Sequence, residues 1–348
     1  MNDALERLAE VVRVHGVLSA EAYDSLRVDK PSRSTVRRVT GLSWRAAIKK
    51  AAEIIEGQRV RETITDLIAE MKVHAPRYKP ICYQRHKTRV LHELCVFDLH
   101  LGKYAWAEET GDNYDLKIAA GRFRDAMDYL LTCPSFPPKR YLFPIGNDYI
   151  HIDNPMNQTT RGTVVDTDGR FSKIFRTGFD LMVEAIEKMR IVAPVDIVVI
   201  PGNHETLTGF TLGVALSAWF HHCPEVNIDN SPKSRKYYRY GNNLIGFVHG
   251  GKDDPPLRDL PLVMAVEAAD KWAKTAFREI HLGHLHHYRQ MQLLGSSDKG
   301  VVMRYLLSVA SLDAWHYRQG YLSHKVASLL LWDHSGGCIG EINRISEK

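Results

Sequence analysis

Five short stretches of this 348-residue chain place metal-competent side chains directly after apolar runs. FDLHLG carries Asp98 and His100, PIGNDYIHID carries Asp148 and Asp153, and PGNHE carries Asn203, His204 and Glu205. FVHGG then supplies His249, and HLGHLHH supplies His284 and His286. Carboxylates, imidazoles and an amide oxygen are the donor types of mixed nitrogen and oxygen cation sites. In an α/β sheet, residues just past the strand carboxyl ends gather at one edge, where ligands bind, so the five stretches are expected to meet in one place.

The elements needed for that convergence are present. Apolar runs over 90–97, 141–145, 196–201, 244–248 and 279–282 read as strands, separated by helical stretches such as 171–191 and 260–277. Their alternation predicts an α/β sheet core, and 301–308 and 324–332 read as further strands. The N-terminal part differs. Residues 4–15, 20–27 (capped by Ser19), 32–39 and 43–56 read as short helices, with Gly16, Lys30-Pro31 and Gly41 between them. We therefore expect a helix-turn-helix-like module over 1–74, a basic linker over 75–89 and an α/β domain over 90–348.

Bulk properties fit a globular protein: 44% of residues are hydrophobic, enough to bury a full-sized core. Residues 1–93 hold 18 Lys and Arg against 12 Asp and Glu, a charge of +6 within a total of +5, so the basic excess lies in the N-terminal part. That asymmetry suits a polyanionic partner or a solvated basic surface. The five cysteines are scattered without a Cys-x-x-Cys pair and read as reduced, mostly buried thiols. No apolar run is long enough to span a bilayer, and a cytoplasmic protein without membrane association is expected. A homodimer is admitted by nothing more than the absence of a contrary signal.

The order Asp-x-His, Gly-(Asn)-Asp, Gly-Asn-His-Glu, His-Gly, Gly-His-x-His resembles the calcineurin-like metallophosphoesterase superfamily over about residues 90–335. The resemblance implies a four-layer αββα sandwich that holds two divalent cations. One would take Asp98, His100, Asp148 and His286; the other would take Asp148, Asn203, His249 and His284. Asp148 would bridge them. His204 is implied as general acid, with Glu205 or Asp153 as the carboxylate that holds its tautomer. Mn²⁺ is the expected metal, with Fe²⁺, Zn²⁺ and Ni²⁺ compatible with the same donors. One motif departs from the pattern: the family has Asp directly after Gly, whereas Asn147 stands between Gly146 and Asp148. Either residue could occupy the bridging position, and Asp148 is preferred because a neutral amide bridges two cations poorly. Among the remaining histidines, His221, His222, His281 and His287 read as structural or exposed, while His151, His316 and Arg318 are candidates to line a cleft.

Residues 8–52 resemble the small helical repeat associated with homing endonucleases, on the pattern of a Tyr-centred helix, PSRSTVRR, a Gly, a Trp and an Ala-rich helix. The resemblance implies a DNA-reading helix that begins near Ser32, with Arg33, Ser34, Thr35, Arg37 and Arg38 at the DNA and Trp44 in the core. Together the two resemblances imply a metal-dependent DNA nuclease, similar to the nuclease subunits of double-strand-break repair complexes and to phage phosphoesterases. A phosphatase or small-molecule phosphodiesterase whose N-terminal module docks protein is the alternative. A non-catalytic DNA-binding regulator is the third reading.

Overall fold

The computed structural model describes residues 2–16, 19–26, 28–52, 72–73, 75–84, 88–285, 289–293, 300–312, 314–318 and 324–346. The chain divides into two compact units, Met1–His74 and Ala75–Lys348. Among the described residues no helix is long and apolar enough to cross a membrane.

The first unit contains α1 (Asn2–His15), α2 (Ala20–Ser25), α3 (Arg33–Thr40) and α4, described over residues 44–52. Capping chemistry sets the boundaries. Ser19 Oγ accepts from Ala22 N and Ser32 Oγ from Thr35 N, each at 3.1 Å, and Gly41 ends α3 at φ 72°. Leu8, Val12, Tyr23, Val36, Ala47 and Ala51 form its core. The expected continuation of α4 to residue 56 lies outside the described residues.

The second unit runs β1 (Val90–Cys95), α5 (Ala107–Thr110), α6 (Leu116–Thr132), β2 (Arg140–Gly146), α7 (Phe171–Arg190), β3 (Val195–Ile200), α8 (Thr206–Trp219) and β4 (Val226–Asp229). It continues through β5 (Lys236–Tyr240), β6 (Asn243–Phe247), α9 (Leu260–Glu267), α10 (Ala269–Trp272), β7 (Phe277–Leu282), β8 (Arg289–Leu293) and β9 (Val301–Tyr305). Last come α11 (Ala314–Arg318), β10 (Val326–Asp333) and β11 (Gly337–Ile345). The stretch expected as one helix over 260–277 is thus two helices that break at Ala268, and Phe277 already belongs to a strand.

Two mixed sheets result, ordered β11-β10-β1-β2-β3-β4 and β5-β6-β7-β9-β8. β1 to β4 are parallel, and β10 joins β1 antiparallel. The central strands are apolar on both faces, as parallel strands covered on both sides must be. On β3, Val195, Ile197 and Val199 pack with α6, α7 and α8, while Val198 and Ile200 share a cluster with Ile245 and Phe247 of the other sheet. That second sheet buries Leu244, Ile280 and Met303 with Leu260 and Met264 of α9. The thiols are less uniformly buried than expected, since Cys82 and Cys133 are exposed.

Between the sheets lies a buried ionic network. His281 Nδ1 is 2.7 Å from Glu93 Oε1, Trp332 Nε1 donates to Glu93 Oε2 at 2.7 Å, and Arg304 Nε donates to Glu279 Oε2 at 3.1 Å. Burial opposes the charge on His281, but Glu93 and Glu279 outweigh it and lift the imidazole from 6.5 to about 9. A raised folded pKa gives stability that is fully present below the unfolded value and is lost as pH rises through the folded one. Unfolding by denaturant should therefore become easier between pH 7 and 10. Glu93→Gln should cost about 3 kcal/mol, because it leaves a buried imidazolium without the nearer of its two carboxylates. An unchanged denaturation midpoint in tryptophan fluorescence would refute the role of the pair.

Candidate metal centre

The chain leaves β1, β2, β3, β6 and β7 at their carboxyl ends and turns sharply there. Among the described residues six non-glycine positions have positive φ, and five belong to this edge: Asp98 (49°), His100 (47°), Asn147 (56°), Asp148 (62°) and His284 (65°). Left-handed backbone at such residues costs on the order of 1 kcal/mol each and gathers at functional sites. The turns are locked together by main-chain bonds, Asp98 N to Asn147 O at 3.1 Å and His100 N to Asp148 O at 2.9 Å. Two glycines admit the carboxylates. A Cβ on Gly202 would stand 2.0 Å from Asp148 Oδ1, and one on Gly283 would stand 2.6 Å from Asp98 Oδ2.

Among the described residues three donor groups form at this edge, each with its atoms within 4.8 Å of one another: Asp98, His100 and Asp148; Asp148, His249 and His284; and His100, His151 and His204. Asp148 is common to the first two. Its Oδ1 accepts from His204 N at 2.9 Å, and its Oδ2 lies 3.2 Å from His249 Nε2. Asp98 accepts from His284 N at 3.1 Å, and Ser308 Oγ donates to the Asp98 carbonyl at 2.7 Å. Asn203 Oδ1 is 2.6 Å from His249 Nε2. Asp98, His100, Asp148 and His249 are buried; Asn203, His204 and His284 are partly exposed.

This donor set fits divalent cations. His249 has two ring nitrogens and faces three oxygens, those of Asn147, Asn203 and Asp148. Burial opposes charge on His249, but Asp148 first among its neighbours raises the imidazole to about 9. Burial likewise pushes the Asp148 carboxyl up, while His249, His204 and the His204 backbone N–H hold it well below the usual range. Convergent oxygens around an imidazole nitrogen are what a cation needs, and a proton only partly substitutes for it.

Asn147 and Asp148 make different contacts with His249. Asn147 Oδ1 sits at His249 Nδ1, behind the ring, where it orients Nε2 toward Asn203 and Asp148. Among the described carboxylates, imidazoles and thiols, Asp148 is the residue that both donor groups share.

The carboxylates expected to hold His204 do not touch it. Glu205 is fully buried and accepts from Tyr149 N and Ile150 N at 2.8 and 2.7 Å, with its carboxyl raised by burial and by Asp148. Asp153 is taken by Thr208 N and Thr160 Oγ1, both at 2.7 Å. The His151 carbonyl does the work instead, 2.9 Å from His204 Nδ1. The His151 ring also stacks on His204 with centroids 5.0 Å apart, and its Nδ1 lies 3.2 Å from His100 Nδ1. No sequence signal marks a main-chain acceptor, and none marks Ser308 or the orienting place of Asn147.

His286, His287 and the side chain of His316 lie outside the described residues. Arg318 pairs with Glu109 at 3.3 Å rather than facing the donor groups, and His221 and His222 contact each other.

In the first unit, Ser34 Oγ and Thr35 Oγ1 each stand 2.8 Å from Ser32 Oγ, inside the cap of α3. Arg33 grips Asp24 through Nε at 3.0 and 2.9 Å. Arg33 is thus paired on the surface with Asp24, while Arg37 and Arg38 lie exposed in the last turn of the same helix.

Neither a protein-family model nor a curated protein sequence matches the chain. Among solved structures it is similar to Vps29 of Chaetomium thermophilum, with 13% identity over 74% of this chain and 96% of that one and a TM-score of 0.31. The same protein complexed with the RaPID-derived cyclic peptide RT-D3 gives 12% identity, 74% and 95% coverage, and a TM-score of 0.29. Likeness of that degree says nothing further about the centre, whose chemistry rests on its own residues.

Proposed function

We propose that residues 90–348 form a calcineurin-like metallophosphoesterase domain, layered αββα, that hydrolyses phosphodiesters in DNA. The observation that carries this reading is the position of Asp148, common to the Asp98 and His100 group and to the His249 and His284 group. Two divalent cations held there would supply Lewis acidity and bring the pKa of a water close to neutrality. Mn²⁺ is favoured, and Fe²⁺, Zn²⁺ or Ni²⁺ suit the same donors; His286 joins the first subsite by resemblance. The residues do the rest. Asp98 and Asp148 supply negative charge, Asn203 adds an uncharged oxygen, and Asn147 fixes the His249 ring. His204, its Nδ1 committed to the His151 carbonyl, presents Nε2 to the leaving oxygen and donates the proton.

The N-terminal unit is assigned to DNA on the exposed pair Arg37 and Arg38 and the basic excess of residues 1–93. The test uses the full chain with Mn²⁺ and end-labelled single- and double-stranded DNA. Cleavage is expected, with DNA affinity that falls steeply between 50 and 200 mM salt, on the order of 10-fold or more for the few phosphate contacts available. The double change Arg37→Ala, Arg38→Ala should flatten that slope. Salt-insensitive binding would sink the DNA assignment, and a clear preference for p-nitrophenyl phosphate over its bis-ester would favour a phosphatase.

A further inference from the structure

A groove of about 510 Å³ opens beside the metal centre, with Asn203 and His249 among its lining residues. Its walls are largely apolar: Val199, Pro201, Leu207, Phe210 and Pro232. Leu207 and Phe210 stand on the first turns of α8 and are 64% and 41% exposed. The α8 sequence, TLTGFTLGVALSAW, is apolar on every face, and a helix of that kind calls for cover on all sides. The core covers Leu212 and Leu216, and the groove side is left open.

We propose that this groove binds the nucleobase next to the scissile phosphate, with Phe210 as its stacking face; the assignment rests on the phosphodiesterase reading. Charge selects the occupant. Three carboxylates, Asp153, Asp253 and Asp254, line the groove against a single guanidinium, Arg161, which is itself paired with Asp253. Such a lining repels a second phosphate and accepts an uncharged ring. The volume suits one ring with its sugar, and an aromatic face beside a phosphate-binding centre is how bases are held without sequence preference.

The far wall is fixed in advance. Asn230 Nδ2 donates to the Phe210 carbonyl at 3.0 Å, and the Asn230 amide lies so close to Gly213 that a Cβ there would stand 2.3 Å from Oδ1. Buried Lys236 bonds Ser231 Oγ at 2.7 Å and Asp229 Oδ1 at 3.1 Å, which anchors the loop that carries Pro232. A preformed wall lowers the ordering cost of binding.

The test is cleavage by the Mn²⁺-loaded full chain of an end-labelled oligothymidylate, single-stranded or paired, with and without one abasic residue at a defined position. Scission beside the abasic residue should be suppressed by about tenfold, as expected for loss of one stacked base. Phe210→Ala should abolish that discrimination by slowing scission beside normal residues to the level seen beside the abasic one, and Phe210→Trp should restore it. Equal cutting beside normal and abasic residues by the unmodified chain overturns the groove assignment and leaves the phosphodiesterase reading standing. No cutting of any oligonucleotide overturns both.

Discussion

An Asp148→Ala chain should lose phosphodiester turnover by about 10⁴-fold or more, the scale seen when one member of a catalytic unit is removed. Metal content measured per chain should fall from two ions together, because the same carboxylate closes both donor groups. The contrast is with its neighbour. The Asn147 side chain holds the back of His249, and its carbonyl, which alanine keeps, accepts from Asp98 N, so Asn147→Ala should keep two cations and weaken their binding by about 10–100-fold, as loss of an orienting partner does. Two bound ions and near-normal turnover in Asp148→Ala would end the bridging assignment.

His204→Asn should lower kcat by about 10²–10⁴-fold, the usual contribution of general acid–base catalysis, with KM and metal content little changed. The loss should be largest for DNA, whose leaving alkoxide needs a proton, and smallest for bis-p-nitrophenyl phosphate, whose phenolate leaves without one. Equal losses on both substrates would assign His204 to charge stabilisation or to structure instead. His151→Ala is a useful companion. It retains the main-chain carbonyl that orders His204 Nδ1 and removes the ring that stacks on it.

Much of this was legible in the sequence, and the limits have physical causes. Each candidate donor follows an apolar strand, and strand ends in a parallel sheet converge, so Asp98, His100, Asp148, Asn203, His249 and His284 could be named and the fold places them together. The caps of α2 and α3 were equally readable, because Ser19 and Ser32 act within three residues of themselves. What could not be read depends on distant partners. The tautomer of His204 is set by a carbonyl, which every residue carries, so the search for a carboxylate led to Glu205 and Asp153, both engaged elsewhere. Short strands such as β4, with alternating exposed and half-buried residues, lacked the apolar run that marked β1 and β3. The ion pair of Arg33 was unreadable for a similar reason, since Asp24 meets it only once the helices pack.

The antiparallel seating of β10 on β1, with Leu91 facing Trp332, has a consequence for how the domain is made. The strand that leads into Asp98 emerges from the ribosome long before the strand that covers its flank, since β1 ends at Cys95 and β10 begins at Val326. Until then β1 has an open flank in a chain that can already pair β1 with β2 and β2 with β3. An uncovered apolar edge of that kind is a template for joining other chains, and the long separation of its partners slows closure. Completion of the sheet, and with it a settled Asp98, therefore waits on β10, and a nascent chain that stalls before it is exposed to aggregation.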